Sequence, residues 1–201
     1  MIEIPWEIPL WEKNEIVVGM DEAGRGPIAG PLVVAGVSFE KGYFNEKIDD
    51  SKKLTEKKRE VLFEQIIADA RWYKIVFVDE KTIDEKNIYR ATQQAMEDIA
   101  NASDGTYILS DAMPLHIERP FEAIVKGDQK SISIAAASIL AKVSRDRYMK
   151  ELDQMYPKYG FAKHKGYPTK QHLEALEKYG VLECHRKSYA PVAKQLELHL
   201  F

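Results

Sequence analysis

Short apolar runs rich in valine alternate along this chain with longer stretches in which apolar residues recur every three or four positions. The runs at residues 16–20 and 31–39, separated by a glycine-rich loop, predict two strands, and residues 71–78 predict a third. Between the second and third, Thr55 is placed to cap a helix through about residue 70, with Val61, Leu62, Ile66 and Ala70 on its buried stripe. Ile88, Ala91, Ala95 and Ile99 predict a helix over residues 87–100. Two further strands, 106–110 and 121–125, each run toward an acidic residue. A long helix is expected over about 132–155, burying Ala136, Ile139, Leu140 and Val143, and its Ala135-Ala136-Ala137 run would let it lie close to a sheet. Helices over 169–179 and 191–196 complete the pattern.

Strands interleaved with helices predict an α/β chain with a mixed sheet flanked by helices. At 201 residues one domain is expected, with a helical C-terminal portion over about 160–194 and a tail over 195–201. No apolar run reaches the length needed to cross a bilayer. The first fifteen residues carry Glu3, Glu7, Pro5 and Pro9 among their apolar positions, unlike a signal peptide, so a cytoplasmic location is expected. Cys184, the single cysteine, cannot form an internal disulfide.

The net charge of −3 gives no reason by itself to expect nucleic acid as a partner. Basic residues nevertheless cluster at 47–59, 142–150 and 158–170, and would track a phosphate backbone if the fold gathered them on one side. The acids are more informative. Asp21 follows the first predicted strand, Asp111 ends the fourth, and Asp128 lies just past the fifth, so a sheet aligning those ends would gather carboxylates in one cleft. Carboxylates beside the bare Gly24-Arg25-Gly26 backbone suit a hard divalent cation that must also meet a phosphate. Because strand side chains alternate, Asp21 and Glu22 can share the cleft only if the chain twists or leaves the sheet at Glu22. Gly24 and Gly26 supply a reason for such a departure.

Six ordered motifs carry a resemblance across residues 16–192: 21–27 (DEAGRGP), 50–54 (DSKKL), 126–128 (KGD), 135–143 (AAASILAKV), 164–169 (HKGYPT) and 185–192 (HRKSYAPV). Together they resemble the type 2 ribonucleases H, specifically ribonuclease HII. The resemblance implies an RNase H-like fold with a central mixed five-stranded sheet. It also implies a metal-dependent endonuclease acting on RNA in RNA–DNA hybrids and on single ribonucleotides embedded in duplex DNA. Asp21, Glu22, Asp111 and Asp128 match the family's four acids, which would hold two Mg2+ or Mn2+ ions about 3.5–4 Å apart. Products would carry 5′-phosphate and 3′-hydroxyl ends. Four clustered carboxylates should repel, so some should titrate upward without metal.

The resemblance makes Gly24-Arg25-Gly26 a loop that reads a ribose 2′-hydroxyl through its backbone, and Tyr167 a residue that packs on the sugar at the RNA-to-DNA junction. Lys52, Lys130, Ser131, Ser133 and Thr169 are candidate phosphate contacts, the long helix adding amide donors; Ser131 and Ser133 could instead only cap that helix. His164, His172 and His185 are assigned structural roles. One departure stands out: the family commonly has glycine after its third acid, where this chain has Ala112, with Ser110 at an often apolar position.

The tail has two readings. Gln195, Leu196, Leu198, Leu200 and Phe201 resemble the short peptides that dock bacterial replication proteins on a sliding clamp, whereas Val192, Leu196 and Leu200 also share one helical face. A noncatalytic hybrid-binding module and an RNase H-like DNA strand-transfer enzyme are the alternative functions. Nothing in the sequence demands more than a monomer.

Overall fold

The computed structural model describes Ile2 and residues 5–198. In chain order the elements are α1 (Ile8–Glu12), β1 (Val17–Ala23), β2 (Leu32–Ser38), α2 (Glu56–Asp69), β3 (Trp72–Val78), α3 (Glu80–Lys86), α4 (Ile88–Ala102), β4 (Tyr107–Asp111) and β5 (Phe121–Ile124). A 3-10 turn (Gly127–Gln129) then leads into α5 (Ile132–Met155), α6 (Phe161–His164), α7 (Lys170–Tyr179) and α8 (Ala190–Leu198). The chain forms two compact units. One comprises the segment up to Ala23, Val33–Val76 and Thr92–Val143; the other comprises Gly24–Leu32, Phe77–Ala91 and the chain from Ser144 onward.

The first unit is built on a five-stranded sheet of order β3-β2-β1-β4-β5. β1 runs antiparallel to β2 and parallel to β4, and β4 runs parallel to β5, which makes the sheet mixed. Every residue of β2 is buried, as expected for a strand covered on both faces. The covering is close. A Cβ placed on Gly19 would lie 2.4 Å from the Ile134 backbone nitrogen, so the start of α5 rests directly on β1. On the face that Met20 shares with its cross-strand partner Gly36, a Cβ at Gly36 would meet Ile99 of α4 at 2.5 Å. The predicted inward residues of α5, Ala136, Ile139, Leu140 and Val143, are all buried with the alanine run beside them.

The long helix is fastened at its N-terminus by a residue more than a hundred positions away. Glu7 is fully buried, and its carboxylate accepts the Ser133 N–H at 2.9 Å, the Ile132 N–H at 3.3 Å and the Ser131 hydroxyl. Ser131 in turn accepts the Ile134 N–H at 3.1 Å, as an N-cap. An anion therefore already occupies the helix start, where donors and dipole favour it.

Most predicted elements appear, with two differences of substance. β1 extends beyond residue 20 through Ala23 because its ladder with β2 continues to the Ala23–Val33 pair. Val61 is 63% exposed, because Leu62, Phe63 and Ile66 define the buried stripe of α2 and place Val61 on its far side. Thr55 caps that helix as expected, accepting the Lys58 N–H at 3.3 Å. The short helices α1, α3 and α6 were not predicted, although Asp79 caps α3 through the Thr82 N–H at 2.7 Å.

The second unit gathers around the segment Ile28–Gly30. Ile28 donates to the Gly166 carbonyl (2.9 Å), Gly30 to the Cys184 carbonyl (2.8 Å), and Arg186 N–H to the Ile28 carbonyl (2.9 Å). Ala29 packs among Met149, Leu152, Tyr159, Phe161 and Ala175, and Ile28 packs against Leu176 and Val192. Beyond Val192, Leu196 and Leu198 of α8 are exposed. Leu200 and Phe201 lie outside the described residues.

Replacing Glu7 with Ala is expected to leave the α5 amides unsatisfied in a buried place. Stability should fall by about 2 kcal/mol, measured as a lower denaturant midpoint with an unchanged slope.

Candidate active site

The contact at Gly19 decides which side of β1 faces the chemistry. Alternation puts Asp21 on the Gly19 face, the side covered by α5. β4 lies parallel to β1 with Met20 opposite Ser110, which brings Asp111 alongside Asp21 at the same ends of two adjacent strands. Asp128 arrives from the 3-10 turn that precedes α5, and Asp111 orients that turn by accepting the Gly127 N–H at 2.8 Å. One carboxylate oxygen from each of Asp21, Asp111 and Asp128 lies within 4.8 Å of the other two.

Such a trio is costly without a cation. Burial raises Asp21 well above the usual carboxylate range, and the charges of Glu22, Asp111 and Asp128 push it further, against one opposing hydrogen bond from the Glu22 N–H. Asp128 is raised by burial and then by Asp111 and Asp50, while Lys52 pulls it back. The Lys52 ammonium stands 3.5 Å from Asp128 on a side chain 81% exposed, so it reaches the rim of the trio from solvent. The donor set is three hard carboxylate oxygens, two of them, on Asp21 and Asp128, holding their protons more tightly than usual. This set suits Mg2+ or Mn2+, which favour oxygen ligands and would relieve the repulsion.

The fourth predicted acid stands apart. Glu22 remains in the β1–β2 ladder opposite Val34, and its carboxylate does not share the 4.8 Å grouping. Of the two ways in which Asp21 and Glu22 could share the cleft, a twist or a departure from the sheet at Glu22, the departure does not occur; the ladder ends one residue later, and Gly24 turns the chain away with φ +101°. Glu22 acts on the trio through its charge on Asp21.

In the second unit, Arg25 and Gly26 are exposed at the tip of the turn, and a Cβ on Gly26 would lie 3.3 Å from the Tyr167 ring. Tyr167 is 45% exposed. The other candidate contacts have structural partners. Ser131 and Ser133 are fully buried at a helix start already held by Glu7, so neither offers a phosphate site. Lys130 donates to the Val125 carbonyl at 2.9 Å and lies over the Trp6 ring. Thr169 caps α7 through the His172 N–H at 3.3 Å. Asp50, unremarked as a site residue in the sequence, adds charge beside Asp128 and holds the Lys52 N–H at 2.9 Å. Its signal was the Asp-Ser-Lys order, which sets a turn.

A family profile described as ribonuclease HII matches residues 18–192. This chain belongs to the ribonuclease HII family. It is a ribonuclease H, a hydrolase that cuts nucleic acid internally, and the family is metal-dependent. Ribonuclease HII of Francisella tularensis subspecies mediasiatica is 54% identical over 180 residues, covering 88% of this chain and 96% of that protein. The crystal structure of ribonuclease H2 from Pyrococcus horikoshii superposes with a TM-score of 0.80 at 30% identity, covering 90% of this chain and 97% of the other. The ribonuclease HII in the PCNA complex from Archaeoglobus fulgidus gives 0.74 at 28% identity, covering 87% and 95%. These likenesses establish the RNase H-like fold of the mixed sheet.

The departure at Ala112 has a visible conformation. Ala112 sits at φ +53° just after Asp111, donating to the Ile124 carbonyl at 3.1 Å, and the buried Ser110 hydroxyl closes the bend on the Met113 carbonyl at 2.6 Å. Glycine is at ease in this left-handed region, so Ala112→Gly is expected to stabilise the protein by about 0.5–1 kcal/mol in denaturant titration.

A second prediction concerns pH. A carboxyl raised in the folded state keeps its proton where the unfolded chain has lost it, so its destabilising effect grows as pH rises from about 3.8 through the raised value. Asp21→Asn removes that penalty. In chelator the variant should melt higher than wild type at neutral pH, with the gap narrowing toward pH 4.

Proposed function

We propose that this chain hydrolyses the RNA strand of RNA–DNA hybrids and cuts on the 5′ side of single ribonucleotides embedded in duplex DNA, leaving 5′-phosphate and 3′-hydroxyl ends. The observation that carries the reading is the convergence of Asp21, Asp111 and Asp128 from β1, β4 and the turn before α5. Three buried or half-buried carboxylates, whose charges help raise the proton affinity of Asp21 and Asp128, form a poor structural cluster and a good cation site. Two Mg2+ or Mn2+ ions held there by these residues, with Glu22 beside Asp21, would activate the attacking water and stabilise the leaving 3′ oxygen.

The remaining roles fall to the chain itself. Lys52 carries an exposed ammonium to the edge of the acids, where it favours an approaching phosphate and limits repulsion of the polyanion by the carboxylates. Gly24-Arg25-Gly26 and the Tyr167 ring beside Gly26 form a paired surface of bare backbone and aromatic face. Such a surface suits a shallow minor groove, the amides reading a 2′-hydroxyl and the ring packing on the neighbouring sugar.

A second role is favoured by the exposed leucines of α8. We infer that Gln195, Leu196, Leu198, Leu200 and Phe201 dock on a sliding clamp, since Leu196 and Leu198 are exposed and a relative's structure is of a PCNA complex. Deleting residues 195–201 should abolish clamp binding while leaving cleavage intact; unchanged clamp affinity would remove this role.

The principal test incubates wild type and Asp21→Asn with a duplex carrying one ribonucleotide, in Mg2+, Mn2+ or chelator. Wild type should cut only with metal, and the variant should lose at least about a hundredfold, the upper end of what outer-shell changes cost. Equal cutting of an all-DNA control would point to strand transfer, and hybrid binding without turnover would point to a noncatalytic binder.

A further inference from the structure

Two arginines lie fully buried in the second unit, Arg145 at 1% and Arg186 at 0% exposure, and the partners of both are mainly backbone carbonyls. Arg145 donates from Nε to Pro31 (2.9 Å), from Nη1 to Lys165 (2.8 Å) and from Nη2 to Ala29 (3.1 Å). Arg186 donates from Nε and Nη2 to Gly30 (3.0 and 2.8 Å), from Nη2 to Gly24 (2.7 Å), and from Nη1 to Arg25 (3.2 Å) and the Tyr189 hydroxyl (3.1 Å). Tyr189 itself donates to the Arg25 carbonyl at 2.6 Å. Burying guanidinium groups is expensive, and burial lowers the proton affinity of both. Simple packing would be met more cheaply by an apolar side chain.

Peptide geometry shows what the expense achieves. In a trans peptide the carbonyl of one residue and the N–H of the next point in opposite directions. Holding the carbonyls of Gly24 and Arg25 inward on Arg186 therefore turns the Arg25 and Gly26 amides outward, at the exposed tip of the turn. Gly24 permits the rotation with φ +101°, and a Cβ there would collide with Arg145 Nε at 2.1 Å.

The residue before Arg186 orients the tyrosine beside that tip. The Leu182 N–H donates to His185 Nδ1 (2.9 Å), which leaves the His185 Nε2–H to donate to His172 Nε2 (3.1 Å). His172 then donates from Nδ1 to the Tyr167 carbonyl (2.9 Å). Each ring has one neutral tautomer that satisfies these bonds, and burial keeps both neutral, lowering each to about 4.

We propose that His185-Arg186 is the positioning element of the ribose-reading surface: Arg186 aims the turn amides, and His185 fixes Tyr167 through His172. This deepens the reading under Proposed function and rests on it. Neither residue is assigned contact with substrate. Lysine cannot replace Arg186, because one ammonium does not reproduce a planar fork on three carbonyls.

The test measures binding in chelator of two duplexes alike except for one ribonucleotide, with Mn2+ titration of the acids as a separate readout. Wild type should prefer the ribonucleotide duplex. Arg186→Met and Arg186→Lys should each lose roughly tenfold of that preference, the scale of one lost charged hydrogen bond, with Mn2+ affinity unchanged. Tyr189→Phe, which removes one donor to the Arg25 carbonyl, should lose a few-fold and decides the matter if the Arg186 variants fail to fold. A wild type without preference would overturn ribose reading itself. Folded variants that keep the full preference, or weaken on both duplexes alike, would overturn the positioning role alone.

Discussion

The first unit depends on a contact between two backbones. The start of α5 lies on β1 at Gly19 with no room for a side chain between them. This closeness does more than fill space. It selects the face of β1 on which Asp21 stands, and it ties the turn holding Asp128 to the same place through the few residues that separate that turn from the helix. Gly127 is similarly tight, for a Cβ there would meet Ile134 at 2.6 Å. Glu7 then secures the helix start so that the approach is kept. The acid trio is thus located by apolar packing and helix capping before any electrostatic attraction acts.

The two units handle buried charge in opposite ways. The acids of the first are left in mutual repulsion, which holds Asp21 toward its protonated form and stores unfavourable energy that a cation can discharge. The arginines of the second are held mainly by carbonyl partners. The first arrangement is suited to receive an external cation, whereas the second is complete in itself. Stability given up at the acids accords with the common trade between a strained site and a well-satisfied frame.

What could be read from the sequence follows the range of the forces involved. Strands, the long helix and the Thr55 cap are local patterns, and they emerged as expected because alternation and capping act over a few residues. Asp21, Asp111 and Asp128 were legible because each ends or follows a strand, and their convergence needed only the strand order. The place of Glu22 in the ladder was not, since it turned on where the β1–β2 pairing stops. Ser131 and Ser133 carried the composition of a phosphate site, but Glu7, remote in sequence, had already taken the helix start. Arg145 stood in a basic cluster and Arg186 in a family motif, but neither position told of its enclosure: a basic residue in a polar stretch looks solvated, and only the fold shows these two buried.

The parallel register of β1 and β4 also governs which changes of length the gene can absorb. Met20 faces Ser110, and because successive strand residues alternate sides, one residue gained or lost within β4 would carry Asp111 away from its companions while the strand remained apolar enough to pair. The connection between β4 and β5 is held differently, by the buried Met113 and Leu115 and by Arg119 on the Ser103 and Gly105 carbonyls, and none of these contacts sets the register of the acids. The five residues of β4 thus act as a ruler: their number fixes the side of the sheet on which Asp111 emerges.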